Sequence, residues 1–210
     1  MTPSMELVYF SVRSRGETAR LMFHYTGTPF KDTQIDYYKE WPSIKQDTSR
    51  FPNNQLPVLY IDGVLLPESH VINRYLARQL GLDGGPDPVQ IALLDYAYEA
   101  CRQYVDSVQP YYYVGTGTRQ GDLAELLKTN FIPNCQSQLP RIISLIKSNG
   151  FFSEKGVSYV DFYISNYIHT YLKIAEEEVK KYPEMVAHRD RVFALPQIQE
   201  YLKQRNDTIC

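Results

Sequence analysis

Apolar positions in the first eighty or so residues come in short runs with two different periods. Glu6-Leu7-Val8-Tyr9-Phe10 predicts a strand, and Ser11-Val12-Arg13-Ser14-Arg15-Gly16 a polar loop. Glu17 to Tyr25 carries Ala19, Met22 and Phe23 at helical spacing, with Gly27 placed to close the helix in the left-handed conformation. Phe30 to Ile35 predicts a weaker strand. Val58-Leu59-Tyr60-Ile61 and Val64-Leu65-Leu66 are apolar runs rich in branched residues, and the Asp62-Gly63 between them is a strong hairpin signal. Pro57 opens the first of these runs, where a missing N–H does least harm to a ladder. Glu68-Ser69 sits where the second run turns into a helix over His70 to Arg78. A helix start offers unpaired N–H groups and a positive dipole end, which suit an anionic ligand group. The order strand, helix, strand, hairpin, helix predicts a small mixed sheet with helices packed on it.

Gly81-Leu82-Asp83-Gly84-Gly85-Pro86-Asp87-Pro88 is the clearest boundary in the chain, since a stretch so rich in glycine and proline cannot continue a helix. Beyond it, Val89 to Tyr104, Asp122 to Lys147, Ser158 to Glu178 and Gln197 to Lys203 read as helices with no strand alternation between them. Leu123, Leu126, Leu127, Phe131 and Ile132 form one apolar stripe. Ser158-Tyr159-Val160-Asp161 reads as a capping box, with Val157 and Phe162 at the staple positions; that structural reading accounts for these residues without catalysis. The expected architecture is α+β with two domains: residues 1–80 with the sheet, a linker over 81–88, and an all-α domain over 89–210.

Composition narrows the function classes. The chain has 210 residues, of which 43% are hydrophobic and 22% charged, ordinary for a globular protein with a sizeable core. A net charge of −2 gives no global basic field to draw nucleic acid or a membrane surface. No apolar run is long enough to span a bilayer, and Met1 to Glu6 lacks the basic and apolar regions of a signal peptide. Cys101, Cys135 and Cys210 are far apart and show neither Cys-x-x-Cys pairing nor metal-ligand spacing. A reduced, cytoplasmic setting without a metal is expected.

Taken together, these pieces resemble a cytosolic glutathione transferase over essentially the whole chain. The motifs are Tyr9 at the end of the first strand, Gln55-Leu56-Pro57-Val58, Glu68-Ser69 opening a helix, the linker near Gly81 and the Ser158 to Asp161 cap. Tyr9-Phe10 and Trp41-Pro42 with Lys45 are most similar to the sigma-like class of nematodes and molluscs. The resemblance implies a thioredoxin-like N-terminal domain that binds glutathione, a helical domain that contributes a hydrophobic substrate site, and a homodimer. The implied reaction is attack of the glutathione thiolate on small hydrophobic electrophiles, with no partner of nucleic acid or membrane.

The chemistry asks for a hydrogen-bond donor at the sulfur. A thiol with a pKa near ~8.5 is only a few per cent thiolate at neutral pH, and lowering it by two units corresponds to about 2.7 kcal/mol. One charge-assisted hydrogen bond supplies roughly 1.5–3 kcal/mol, so one phenol with a nearby cation suffices. The resemblance gives Tyr9 that role and sets Arg15 beside it. Without the resemblance, Tyr9 reads as one more core tyrosine among 18, and Arg15 as a solvated arginine. The same carry-over implies that Trp41 and Lys45 hold the glycine carboxylate. Gln55 and the Leu56 main chain, before a cis Pro57, would meet the cysteinyl part. Glu68 would meet the α-amino group and Ser69 the γ-glutamyl carboxylate. An acidic pair that the family supplies from the partner subunit falls here on Arg102-Gln103, leaving Asp95 or Gln103 as substitutes. The departure also argues against a divalent-ion-stimulated prostaglandin isomerase. Val12, Arg13, Tyr104, Val108, Tyr111 and the tail residue Cys210 are the implied hydrophobic-substrate residues, although Tyr111 reads equally well as interhelical packing. Two other functions use the same features: a carrier or crystallin-like relative without turnover, and a glutathione-dependent peroxidase or prostaglandin isomerase.

Overall fold

The computed structural model describes residues 3–206 and 208–210, so the N-terminal reading at Met1 and Thr2 lies outside it. The first part of the chain folds as β1 (Met5–Phe10), α1 (Glu17–Thr26), β2 (Lys31–Ile35), a short α2 (Trp41–Ile44), β3 (Val58–Ile61), β4 (Val64–Pro67) and α3 (Ser69–Gln79). The sheet order is β2-β1-β3-β4. β1 runs parallel to β2, pairing Tyr9 with Gln34, and antiparallel to β3, pairing Leu7 with Leu59. The inner strands carry the continuous apolar runs because both of their faces are covered: Leu7, Val58 and Leu59 are fully buried. β2, at an edge, is polar and mostly open. Asp62 and Gly63 both take left-handed φ values, 49° and 83°, the requirement of a tight two-residue hairpin. Gly27 closes α1 at φ 65°, as its position predicts.

The remaining elements are helical: α4 (Pro88–Ser107), α5 (Gln109–Gly115), α6 (Leu123–Leu126), α7 (Ile132–Ser144), α8 (Tyr159–Ile174), α9 (Glu176–Val179), α10 (Pro183–Phe193) and α11 (Gln199–Gln204). Two of these, α5 and α10, lie outside the helices that periodicity predicts. Each begins with a proline in its first turn, and α10 buries only Met185, His188 and Val192, too sparse an apolar stripe to stand out. The stretch expected as one helix from Asp122 to Lys147 is broken by a π-helical turn over Leu127–Phe131 and stops at Ser144. Of its apolar stripe only Phe131 is buried.

The chain packs into two compact units. One joins the residues up to Leu82 with Pro196–Thr208; the other holds Asp83–Leu195 with Ile209 and Cys210. The C-terminal segment thus belongs with the sheet rather than with the helices that precede it. Its anchor is Glu17, fully buried at the start of α1. Glu17 accepts from the Tyr201 hydroxyl at 2.8 Å and from Arg205 at 2.5 Å, and Tyr201 stacks on His24 with ring centres 4.1 Å apart. A buried carboxylate needs such partners to be tolerated at all.

Inside the helical unit the start of α8 is built as the sequence predicts. Asp161 Oδ2 accepts from the Ser158 main-chain N–H at 2.7 Å, with the Ser158 hydroxyl 2.6 Å from the same oxygen. Its other oxygen accepts from the Phe152 N–H at 3.1 Å and meets His188 Nε2 at 2.7 Å. Asp161 therefore ties three segments together, not only its own helix end.

Candidate functional site

Tyr9 is the penultimate residue of β1 and is 4% exposed. Its hydroxyl accepts from the Arg15 main-chain N–H at 3.2 Å. Burial pushes its pKa up, opposed by a hydrogen bond from Ser14, by that from Arg15, and by the charges of Arg15 and Arg20. The phenol thus keeps its proton at neutral pH and has it to donate. The loop behind it is shaped to fit the ring. A Cβ on Gly16 would lie 2.5 Å from Tyr9 Cδ1, so only glycine allows this approach.

Arg20 is the residue that sequence reasoning missed. It is 3% exposed and points from α1 into the turn after β1. Its guanidinium donates to the carbonyls of Val12 at 2.7 Å and Phe10 at 3.1 Å, and pairs with Asp32 at 3.0 Å. Its central carbon sits 5.8 Å from the Tyr9 ring centre. One buried cation therefore fixes the main chain on the far side of Tyr9. The available signal was only an arginine on the apolar face of a helix, which snorkelling explains equally well.

Trp41, at the start of α2, is buried and meets Phe10 and Phe51 edge-on at 5.4 and 5.1 Å. Trp41, Tyr9 and Leu56 share one hydrophobic cluster, with Val12 and Phe10 packed at its rim. Lys45 follows α2, half-buried, its N–H bonded to the Trp41 carbonyl at 3.0 Å. Gln55 is exposed, Leu56 and Pro57 are buried, and the peptide between the last two is cis. Glu68 stands before α3 at φ 72°, ψ 113°, a region that L side chains seldom occupy. Its carboxylate accepts from the Asn53 amide at 3.3 Å, and Asn53 and Asn54 are themselves left-handed. Such strain costs roughly 1–3 kcal/mol per residue and gathers at binding sites. Ser69, 7% exposed, opens α3 beside it.

Arg13 is 3% exposed and donates to the Thr208 carbonyl at 3.2 Å. It borders a cavity of about 360 Å³ together with Ser11, Val12, Glu17, Arg20 and Tyr201, a polar lining where an apolar one was expected.

The other expected residues lie in the helical unit. Asp95 accepts a hydrogen bond from the Tyr159 hydroxyl at 2.5 Å. Gln103 accepts from Arg141 at 3.3 Å, and Arg102 pairs with Glu99 and Asp106 along its own helix. Tyr104, Val108 and Tyr111 belong to the helical core rather than to an open surface: none exceeds 1% exposure. The Tyr104 hydroxyl faces Cys135 Sγ at 3.3 Å, and that of Tyr111 donates to the Ile174 carbonyl at 2.6 Å. Packing takes up the surface that a ligand would need. Cys210 is half-buried and forms no disulfide. Among the described residues no group of three or more His, Cys, Asp or Glu is arranged to hold a metal ion, and no helix is long and apolar enough to cross a membrane.

Residues 5–78 match the family model described as the glutathione S-transferase N-terminal domain, and residues 104–205 the model of its C-terminal domain. The chain is 33% identical to probable glutathione S-transferase 6 of Caenorhabditis elegans, over 96% of this chain and 97% of that protein. It is 32% identical to the hematopoietic prostaglandin D synthase of Gallus gallus, over 98% of each chain. The crystal structure of the glutathione S-transferase from Ascaris lumbricoides superposes with a TM-score of 0.90 at 28% identity, covering 99% of this chain and 100% of that one.

Proposed function

The chain belongs to the glutathione S-transferase family, as an enzyme with that family's two-part fold, and we propose that Tyr9 is the residue through which it activates glutathione. The carrying observation is the Tyr9 hydroxyl: buried, kept protonated by its surroundings, and flanked by the Arg15 N–H and the Arg20 charge. A phenol so held donates to a thiolate without being consumed. The stabilisation needed, about 2.7 kcal/mol for two pKa units, is within reach of one such bond. Arg15 adds charge to the same loop. The thiolate sulfur, its proton already lost to water, bonds to the electrophilic carbon, which releases its leaving group with the bonding pair or, in an addition, shifts its π pair to be protonated by water.

The rest of the glutathione site follows from the same unit. Trp41 and Lys45 hold the glycine carboxylate, and Gln55 with the Leu56 main chain meets the cysteinyl part. The Ser69 hydroxyl and N–H, at the start of α3, take the γ-glutamyl carboxylate. Glu68 takes the α-amino group. Its positive φ supports this, since strain at an exposed carboxylate has no packing explanation. Asp95 accepts from Tyr159 and Gln103 from Arg141 within the helical unit, whereas Glu68 directly precedes Ser69, so the amine is assigned to Glu68. The class we infer is sigma-like, on Tyr9-Phe10 and on Trp41-Pro42 with Lys45. A cytoplasmic setting fits three cysteines that form no disulfide.

A homodimer is part of the reading. Val89, Leu93 and Tyr96 recur at helical spacing on α4 and are 63%, 52% and 49% exposed. Light scattering at micromolar concentration should give twice the chain mass; a monomer there would sink this part. A second activity, prostaglandin isomerisation, is favoured by the likeness to the Gallus gallus prostaglandin D synthase.

The test is calorimetric titration of glutathione into the wild type and Tyr9→Phe, with a conjugation assay alongside. Both should bind glutathione, and the variant should lose about 10- to 100-fold in kcat, as removing one charge-assisted bond predicts. Equal rates would overturn the role of Tyr9. Binding without turnover in either protein would favour a carrier.

A further inference from the structure

The sheet unit holds a cavity that the glutathione contacts do not use. Its volume is about 360 Å³, within the roughly 300–1,000 Å³ of small-molecule sites. The walls come from the loop after β1, from α1, from β2 and from the C-terminal segment, all parts of the same unit. None of Tyr9, Trp41, Lys45, Leu56, Glu68 or Ser69 borders it. The lining is rich in hydrogen-bond donors: the guanidiniums of Arg13, Arg20 and Arg205, and the side-chain amides of Gln34, Gln204 and Asn206. Glu17, the one carboxylate among the described lining residues, is already engaged by Tyr201 and Arg205. Arg20 carries the argument. It is 3% exposed, and a guanidinium has five N–H donors in a fixed fork. Its Nε donates to Asp32, one N–H of Nη1 to the Val12 carbonyl, and one of Nη2 to the Phe10 carbonyl. The second N–H on each terminal nitrogen has no hydrogen bond among the described residues; a Glu17 oxygen stands 3.8 Å from Nη1, too far for one. A buried charged donor without an acceptor is costly, so two such N–H groups on the wall of a polar cavity call for oxygen atoms inside it.

We propose that this cavity is a second ligand site, for a small hydrophilic oxyanion: a carboxylate or phosphate group on a short hydroxylated skeleton. The ionised group accepts from Arg20, since carboxylate and phosphate oxygens match a guanidinium fork. Arg13 and Arg205 add positive charge from the loop and from the C-terminal segment. The amides of Gln34, Gln204 and Asn206 meet the hydroxyl groups of the skeleton. A hydrophobic anion finds little here, because Val12 is the only aliphatic side chain among the described lining residues. The ligand touches α1 and the C-terminal segment at once. Its binding therefore stabilises the folded chain by mass action.

The experiment titrates citrate and glycerol 3-phosphate into the whole protein by calorimetry at constant ionic strength, with and without saturating S-methylglutathione. Proteins are the wild type, Arg205→Gln and Asn206→Asp. The wild type should bind at least one probe with a Kd below about 1 mM, equally well in both conditions, and its Tm should rise with that probe. Citrate alone marks a carboxylate as the group recognised, glycerol 3-phosphate alone a phosphate, and both together an oxyanion of either kind. Arg205→Gln keeps a donor for Glu17 but removes the charge, and should weaken binding about tenfold. Asn206→Asp sets a like charge on the wall and should weaken it about threefold. The proposal is overturned if neither probe binds, which leaves water as the partner of Arg20, or if both variants bind as the wild type does. It is overturned equally if S-methylglutathione displaces the probe, which then sits on the glutathione contacts, or if anilinonaphthalene sulfonate, a hydrophobic anion, displaces it. Should Arg205→Gln unfold, Asn206→Asp decides, since its exposed side chain makes no hydrogen bond among the described residues. If S-methylglutathione does not bind at all, the glutathione reading has failed, and the response of the probe to the two variants still decides the cavity.

Discussion

The two units reach stability by different means. In the sheet unit, five non-glycine residues adopt positive φ: Ser14, Asn53, Asn54, Asp62 and Glu68. In the helical unit, among the described residues, only glycines do so, at Gly84, Gly85, Gly117, Gly150 and Gly156. Asp62 is accounted for by its hairpin, but Ser14, Asn53, Asn54 and Glu68 all border the proposed glutathione site. The sheet unit also buries charge next to that site, through Glu17 and Arg20, and the helical unit buries Asp161 against His188 besides many tyrosine and phenylalanine rings. Backbone strain is therefore concentrated where chemistry is proposed. The helical unit is the relaxed part, and four largely hidden side chains, Ser158, Asp161, Ser165 and His188, provide its polar centre.

The sharpest way to break this contrast is Asp161→Ala. It leaves the Phe152 and Ser158 N–H groups and His188 Nε2 without their acceptor, in a fully buried place. A loss of about 3–5 kcal/mol is expected, read as a fall in the urea midpoint. A loss under about 1 kcal/mol would mean that the helical unit does not depend on this polar centre.

Next in size is the alkaline response of the tyrosine core. Burial holds Tyr104 and Tyr163 protonated to well above the usual phenol range. Below about pH 10 both the folded and unfolded chains keep these protons, so the stabilising contribution is whole there. Above it the unfolded chain releases protons that the folded chain retains, and stability should fall by about 1 kcal/mol per pH unit for each such tyrosine. Denaturation midpoints between pH 9 and pH 11 read this directly. Tyr104→Phe should make the slope shallower; an unchanged slope would exclude Tyr104 from the effect.

Gly16→Ala probes the sheet unit. The added methyl meets the Tyr9 ring and must displace it. Overpacking of this kind costs about 1–3 kcal/mol, and conjugation should fall further than the urea midpoint implies. If the rate drops no more than it does in a surface variant of equal stability, the fit of the loop to Tyr9 is not functional.

The smallest effect has the opposite sign. Glu68→Gly relieves the positive φ, and despite the flexibility that glycine adds, stability should rise by about 0.5–1 kcal/mol. Glutathione affinity should fall at the same time. A variant that gains stability and keeps its affinity would show that the strain serves nothing at this site.

Much of the sheet unit was legible in the chain because its signals are local. Asp62-Gly63 announces a hairpin by its own conformational preference, Gly27 announces a helix end, and the inner strands show as short apolar runs rich in branched residues. The Ser158 to Asp161 cap is read in the same way. The helical unit was legible only in part. α10 buries too few residues to show a stripe, and the π-helical turn at Leu127 interrupts a period that the sequence carries through.

What the amino-acid order determined by itself was every feature set by a residue and its near neighbours: the strands, the hairpin, the caps, the linker and the motif set that links the chain to its family. Only the tertiary structure decided which polar groups meet across the fold. Glu17 binds Tyr201 and Arg205 from the far end of the chain, Arg20 clamps the loop behind Tyr9, Asp161 finds His188, and Asp95 is taken by Tyr159. These pairings span from eight to nearly two hundred positions, and no local propensity encodes them. A buried charge must be paired, but with whom is settled by what the packed helices and sheet bring within reach. Tyr104, Val108 and Tyr111 make the same point: their apolar character is plain in the chain, and only packing shows that they fill a core.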